Sequence, residues 1–343
     1  LVHNIMIAYW LPRFSTEPVL NGFHHAIFHE RNRQIAVDRS RAFILDCFHR
    51  SPEHANFINA DQGGATRTEY DLLRAPGGPH WRILRMLTST FGRLSEGVRL
   101  GVRSGFDSGV TLDYVYDNKP QGVTPLGRLI DYFYLNAIGW RGIRVRRIHL
   151  QGILRWSIEQ VQHAGQPVRI LDVASGAGRY VLEVMREMPH APIQAVLRDY
   201  KQENLERALR SADKLGIEGV TVEYGDAFDD TSLAQVMPRP TIVIVSGLYE
   251  LFPENAPILR SLKGIAEVIE NGGYLIYTCQ PWHPQVEFIA RVLTNREGEP
   301  WIMRRRTQAE MDQLVRSVGF EKVSQDVDQW GIFTVSVARR APR

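Results

Sequence analysis

Of 343 residues, 44% are apolar, and Lys plus Arg exceed Asp plus Glu by only three. Such a length allows one large domain with an extension, or two domains, while the near balance of charge gives no reason to expect a nucleic-acid binder. The two cysteines, Cys47 and Cys279, make neither a disulfide framework nor a metal site, so a reduced, cytoplasmic setting is the expectation.

The chain opens on Leu1 rather than Met, as the interior of a longer protein would. Its first segment, LVHNIMIAYWLP, is apolar but too short to span a bilayer, and it lacks the basic start and small-residue cleavage site of a signal peptide. No transmembrane segment is expected anywhere. Residues 21–30, NGFHHAIFHE, precede a helical pattern carrying Ile35, Ala36, Ala42, Phe43 and Leu45. The spacing of His25, His29 and Glu30 is not that of a His-Glu-x-x-His zinc helix, so a structural role is the expectation.

Residues 51–125 are rich in glycine and turn signals. Trp81, Ile83, Leu84, Met86 and Leu87 suggest a helix among them, and Asp113–Asn118 reads as an extended segment with Tyr114 and Tyr116 on one face. Helices follow at 126–138 and 150–161. Arginines cluster at 141, 144, 146 and 147 and again at 304–306, runs that read as solvated faces, or otherwise as grips for a carboxylate or phosphate.

The rest of the chain is organised around VRILDVASGAGRYVLEVM, residues 168–185. A short apolar run ends at Asp172 and Val173, Gly176 and Gly178 follow, and Val181, Val184, Met185 and Met188 then recur at helical spacing until Pro189. Strand, tight glycine turn and helix is the reading. Val181 stands where a dinucleotide fingerprint needs its third glycine, and Arg179-Tyr180 replaces the Lys-Ser/Thr of a P-loop. Asp172 would repel a pyrophosphate but suits a cationic ligand such as an amino group.

A second strand from Ile193 ends at Asp199, 21 residues beyond Gly178, where a carboxylate can accept ribose hydroxyls. A helix with Leu205, Ala208 and Ala212 closes at Gly216. Strands are expected at 220–224, 241–245 and 274–278, helices around 256–270 and from the Thr307-Gln-Ala-Glu310 capping box to 318, and a β pair at 320–327 and 330–338.

Asp172-Val-Ala-Ser-Gly-Ala-Gly178, with Gly225-Asp-Ala-Phe228 after the third strand, resembles class I S-adenosylmethionine-dependent methyltransferases, with Ala174 where a glycine is usual. The resemblance implies an α/β fold: a doubly wound, seven-stranded Rossmann-like sheet with an antiparallel last strand and a mainly helical N-terminal extension. It implies cofactor contacts from Asp172, Ala174, Ser175, Gly176, Gly178 and Arg179. Asp199 and Tyr200, then Asp226, Ala227 and Phe228, then Ser246 and Gly247 would complete the cofactor site. Gly139-Trp-Arg-Gly-Ile-Arg144, Ser246–Phe252 and Gln280-Pro-Trp-His-Pro-Gln285 further resemble a bacterial group of such proteins, often fused behind a lysophospholipase-like α/β-hydrolase. Residues 1–50 resemble the tail of that hydrolase, with His25 at its catalytic histidine; no Gly-x-Ser-x-Gly occurs in the chain, so His25 has no nucleophile to serve. The expected organisation is a hydrolase-tail-like segment at 1–50, a helical cap at 51–165 and the methyltransferase domain at 166–343.

Methyl transfer asks the protein to align donor and acceptor, exclude water and, for an acceptor of high pKa, supply a base. Tyr249, Glu250 and His283 follow strands four and five and are the candidate catalytic groups. Tyr114, Tyr116, Trp140, Arg141 and Trp282 are the candidate contacts to a small or lipid-like acceptor, closing over the crevice. An α/β-hydrolase is a candidate partner. The alternative is a catalytically inactive cofactor-binding module that scaffolds or regulates such a hydrolase.

Overall fold

A computed structural model describes residues 33–49 and 56–342. The chain divides into two compact units between Glu69 and Tyr70. His25, His29 and Glu30 lie outside the described residues; the helix expected after them is present as α1 (Arg33–His49). Helix α2 (Ala65–Arg74) includes the division.

The second unit begins with a helical region: α3 (Pro79–Thr90), α4 (Glu96–Ser104), α5 (Gly109–Asp117), α6 (Pro125–Leu135) and α7 (Ile138–His163). Local sequence explains the starts. Ser95, Ser108 and Thr124 cap α4, α5 and α6 by accepting the N–H groups of Val98, Thr111 and Gly127, and Pro125 occupies the first turn where no N–H is needed.

One expectation is overturned here. Residues 113–117 are helical, not extended, and Asn118 ends α5 in a left-handed conformation (φ 48°). Alternating Tyr and Val mimic a strand, but Thr111 and Val115, four apart, are the buried positions and set a helical period. The two tyrosines therefore part company. Tyr114 donates to Asp131, a fully buried carboxylate that also accepts from Ser95 Oγ and from the N–H groups of Gly97 and Gln121, tying α4, α5 and α6 together.

Seven strands form one sheet in the order β3-β2-β1-β4-β5-β7-β6. They are β1 (Val168–Asp172), β2 (Ile193–Asp199), β3 (Val220–Tyr224), β4 (Ile242–Val245), β5 (Tyr274–Cys279), β6 (Phe320–Val327) and β7 (Thr334–Arg340). The first five run parallel, and β7 enters antiparallel between β5 and β6. Helices α8 (Arg179–Glu187), α9 (Gln202–Leu215), α10 (Asp230–Ala234) and α11 (Asn255–Val268) connect the parallel strands. Helix α12 (Val286–Val292) and helix α13 (Gln308–Ser317), the latter capped by Thr307 as its sequence predicts, precede the antiparallel pair.

The central strands β4 and β5 are buried along their whole length, which is why they read as unbroken apolar runs. Helix α7, about 39 Å long at 1.5 Å per residue, belongs to two cores. Leu150, Leu154 and Ile158 pack on the sheet, while Trp140 and Ile143 join Val115, Leu135, Ile289 and Phe333 in the helical region. Register brings the ends of β1, β2 and β4 level, with Asp172 opposite both Leu197 and Ile244. Strand order reverses between β1 and β4, where an open α/β sheet offers a crevice.

Candidate functional site

The turn after β1 is stitched to its neighbours by backbone: Val173 N–H donates to Ile244 O and Ser175 N–H to Arg198 O. Gly176 (φ 56°) and Gly178 (φ 64°) are both left-handed, for different reasons. A Cβ on Gly178 would lie 2.4 Å from the Leu197 side chain, whereas one on Gly176 would meet nothing within 4 Å. Gly178 closes the turn against β2; Gly176 leaves its backbone bare toward open space.

That space is a cavity of about 680 Å³ at the carboxyl edge of the sheet, within the roughly 300–1,000 Å³ of small-molecule sites. Its floor includes Ala174, Ser175 and Gly176, and its walls include Asp199 and Tyr200, then Asp226, Ala227 and Phe228, then Ser246 and Gly247. The residues expected from four separate strand ends thus share one cavity, with Arg179 beside them. Two of the expected set do not line it. Gly178 is buried under the turn, and Asp172 is fully buried, its Oδ2 accepting from Tyr180 and its Oδ1 without a partner. Burial pushes the Asp172 carboxyl up to about 7, against the opposing effect of the Tyr180 hydrogen bond.

Asp199 is nearly buried and pre-set. Gly176 N–H donates to its Oδ2 at 2.9 Å, and Lys201 N–H and Asn204 Nδ2 donate to Oδ1 at 2.9 and 3.1 Å. An ionised carboxylate offers about four acceptor positions, so with three taken about one remains, on Oδ2, for a ligand hydroxyl. Asp226 Oδ1 accepts the Phe228 N–H and holds that segment at the cavity wall.

Helix α5 roofs the cavity with Leu112, Asp113 and Tyr116. It is fastened by the Asp113–Arg207 pair, by Arg179–Asp117 at 2.8 Å, and by Arg147 and Arg179 against the Tyr116 ring. Of the candidate acceptor contacts, then, Tyr116 faces the cavity and Tyr114 does not. Arg141 also faces elsewhere: it is exposed and stacks on Trp330, with its guanidinium 4.8 Å from the ring centroid. Trp282 is exposed and lines no cavity at this edge.

A second cavity of about 340 Å³ opens off the first, sharing Asp107, Leu112, Arg146, Gly247, Leu251 and Trp301 with it. Trp140, Glu250 and His283 line it. Tyr249 lines neither cavity: its buried hydroxyl donates to Ser261 at 2.8 Å. The Glu250 carboxylate is oriented by a relay in which Gly247 N–H donates to Thr278 Oγ1 and Thr278 donates to Glu250 Oε1 at 2.6 Å. Its Oε2 is buried with no partner. His283 Nδ1 accepts from Gln285 N–H, and burial, reinforced by Arg305, lowers its pKa to about 4.

Asp107, Asn204 and Trp301 face a cavity although no sequence pattern singles them out, and Arg146, which reads only as one of an arginine cluster, borders both. Only their three-dimensional neighbours distinguish them from structural residues. The second arginine run is likewise no solvated face: Arg304, Arg305 and Arg306 are buried, with Arg304 paired to Glu310 and Arg306 donating to the carbonyls of Tyr249 and Phe252.

Residues 40–340 match the family described as putative methyltransferase, nearly the whole chain. The chain belongs to that family. The chain is 45% identical over 332 residues to the uncharacterized protein YnbC of Escherichia coli, covering 94% of the chain but 56% of that protein, so it spans little more than half its relative's length. A possible exported protein from Bordetella parapertussis shares the fold at 17% identity and a TM-score of 0.55, covering 81% of this chain and 97% of the other. The magnesium protoporphyrin IX methyltransferase of Synechocystis superposes at a TM-score of 0.47 and 13% identity, covering 70% of this chain and 99% of the other. Among the described residues no helix is long and apolar enough to cross a membrane, and no group of three His, Cys, Asp or Glu side chains could hold a metal ion.

Proposed function

We propose that this chain transfers the methyl group of S-adenosylmethionine to a small or lipid-like acceptor. The observation that carries the reading is the arrangement of the larger cavity: bare backbone at Gly176, with a carboxylate at Asp199 and another at Asp226, all on one ligand-sized space at the switch point. The residues fit the donor. Asp199 would take a ribose hydroxyl, Asp226 the adenine amine between Ala227 and Phe228, and Asp172 would favour the amino group from beneath the turn. Ser246 and Gly247 would border the methionine part. When bound, the donor supplies an electrophilic methyl on a sulfonium, whose positive charge the Tyr116 ring can favour.

The chain's own residues do the rest. Helix α5 excludes water from above, and Glu250 and His283 stand at the adjoining cavity as groups able to accept and donate a proton. The hydrolase resemblance of residues 1–50 extends the proposal to an α/β-hydrolase partner in a longer protein. Calorimetric titration with S-adenosylhomocysteine tests the donor site. Asp199→Ala should weaken binding by about 1.5–3 kcal/mol, the worth of a hydrogen bond to a charged group; unchanged affinity would remove Asp199, and with it the reading of the cavity.

A further inference from the structure

The adjoining cavity has a composition that names its occupant. Apart from a few polar groups its lining is aromatic and aliphatic, including Phe106, Trp140, Ile143, Phe288 and Phe333. At its mouth Phe133 is 66% exposed, and nearby Phe91 and Leu129 are exposed too, so apolar surface continues outward from the opening. An apolar body with a tail reaching the surface would fit this shape.

Three charged side chains break the apolar lining: Asp107 is paired with Arg296 at 2.9 Å, whereas Arg146 and Glu250 have no ion-pair partner among the described residues. Arg146 is 94% buried, given its 6% exposure, and borders both cavities. Its guanidinium lies 5.0 Å from the Phe333 ring centroid and within reach of Gly247, yet it makes no hydrogen bond or ion pair with any described residue. Glu250, 9% exposed, keeps Oε2 unpartnered at the apolar cavity. Buried charges left so are costly unless a ligand completes them.

We propose that the smaller cavity binds an apolar acceptor bearing a phenol-type hydroxyl, with Arg146 facing the oxygen and Glu250 accepting its proton; this rests on the donor reading above. The hydroxyl proton passes to Glu250 Oε2, the oxygen–methyl bond forms as the sulfur–methyl bond breaks, and the electron pair of that bond stays on sulfur. The products are a methyl ether and a neutral thioether. Arg146 decides between nucleophiles. It stabilises a developing oxyanion, whereas an attacking amine would gather positive charge beside a buried guanidinium. A carboxylic acid would need no base and would meet Glu250 as a like charge.

The test uses 4-octylphenol and octylamine as probes with the intact chain, reading S-adenosylhomocysteine release and, separately, S-adenosylhomocysteine affinity by calorimetry. Turnover with the phenol at least tenfold above that with the amine is expected. Glu250→Gln should lower phenol turnover by about 100-fold or more, the scale of general-base catalysis, while donor affinity stays within threefold. Thr88→Trp, at the half-buried rim of the cavity, should weaken octylphenol binding without changing donor affinity. Equal or faster turnover of the amine, or no binding of the phenol by a chain that binds S-adenosylhomocysteine, overturns the acceptor assignment. Failure to bind S-adenosylhomocysteine overturns the donor reading instead.

Discussion

Tyr180 donates a 2.5 Å hydrogen bond to Asp172 across the first turn of α8. It does not fully offset the burial of that carboxylate, whose pKa is pushed up to about 7, far above the usual value near 3.8. Two consequences follow from the sign. Because the folded-state pKa is raised, protonated Asp172 favours the fold, and its contribution is full below about pH 4 and lost as pH rises through 7. A cationic amino group would favour the ionised form.

Donor affinity should therefore fall as pH drops below about 7, approaching tenfold per unit. Asp172→Asn should flatten that dependence and gain stability over the wild type between pH 5 and 8. Calorimetry and thermal melts at several pH values check both; a pH-independent wild-type affinity would show that Asp172 does not sense the donor.

The two glycines of the turn should respond differently to alanine. At Gly178 the methyl would sit 2.4 Å from Leu197 with φ at 64°, combining roughly 1–2 kcal/mol of left-handed strain with overpacking of about 1–3 kcal/mol. Gly176→Ala carries the strain alone, since nothing lies within 4 Å, but places a methyl beside the donor. Denaturant unfolding should show Gly178→Ala losing more stability. Gly176→Ala should lose more donor affinity than stability, and the reverse order would exchange the roles assigned here.

This turn was legible because periodicity changes from a buried run to helical spacing across two glycines, a signal contained within 18 residues. The same holds for β3, at the expected residues, and for the Thr307 cap. Long-range pairing was not legible. Arg141 and Arg146 look equivalent in sequence, yet five residues on a helix rotate about 140°, so one stacks on Trp330 and the other enters the cavities. Tyr114 could not be assigned without its partner Asp131, 17 positions away.

The Arg304 cluster supplies a third expectation. Arg304 donates to Glu310 Oε1 at 2.6 Å and to Asn255 Oδ1 at 2.9 Å, and Asn255 Nδ2 donates back to Glu310 at 2.7 Å, all buried. Glu310→Gln leaves the guanidinium without its buried counter-charge and should cost about 3–5 kcal/mol by denaturant unfolding. A loss under 1 kcal/mol would mean that water or rearrangement replaces the carboxylate.

His283 gives the last expectation and separates two kinds of proton chemistry in the smaller cavity. Gln285 N–H occupies Nδ1, so the neutral imidazole must carry its proton on Nε2 and act there as a donor. Gly139 makes room for it: a Cβ there would lie 2.7 Å from Nε2. With its pKa lowered to about 4 by burial and by Arg305, the ring stays neutral through the physiological range. Folding favours that neutral form, so its contribution is present above about pH 6.5 and lost as pH falls toward 4. The ring should consequently show no titration between pH 7.5 and 5 by NMR. His283→Asn should lower turnover less than Glu250→Gln does, because the neutral ring acts as a donor and not as the base. A larger loss of turnover in His283→Asn than in Glu250→Gln would make the histidine the base and Glu250 only its neighbour.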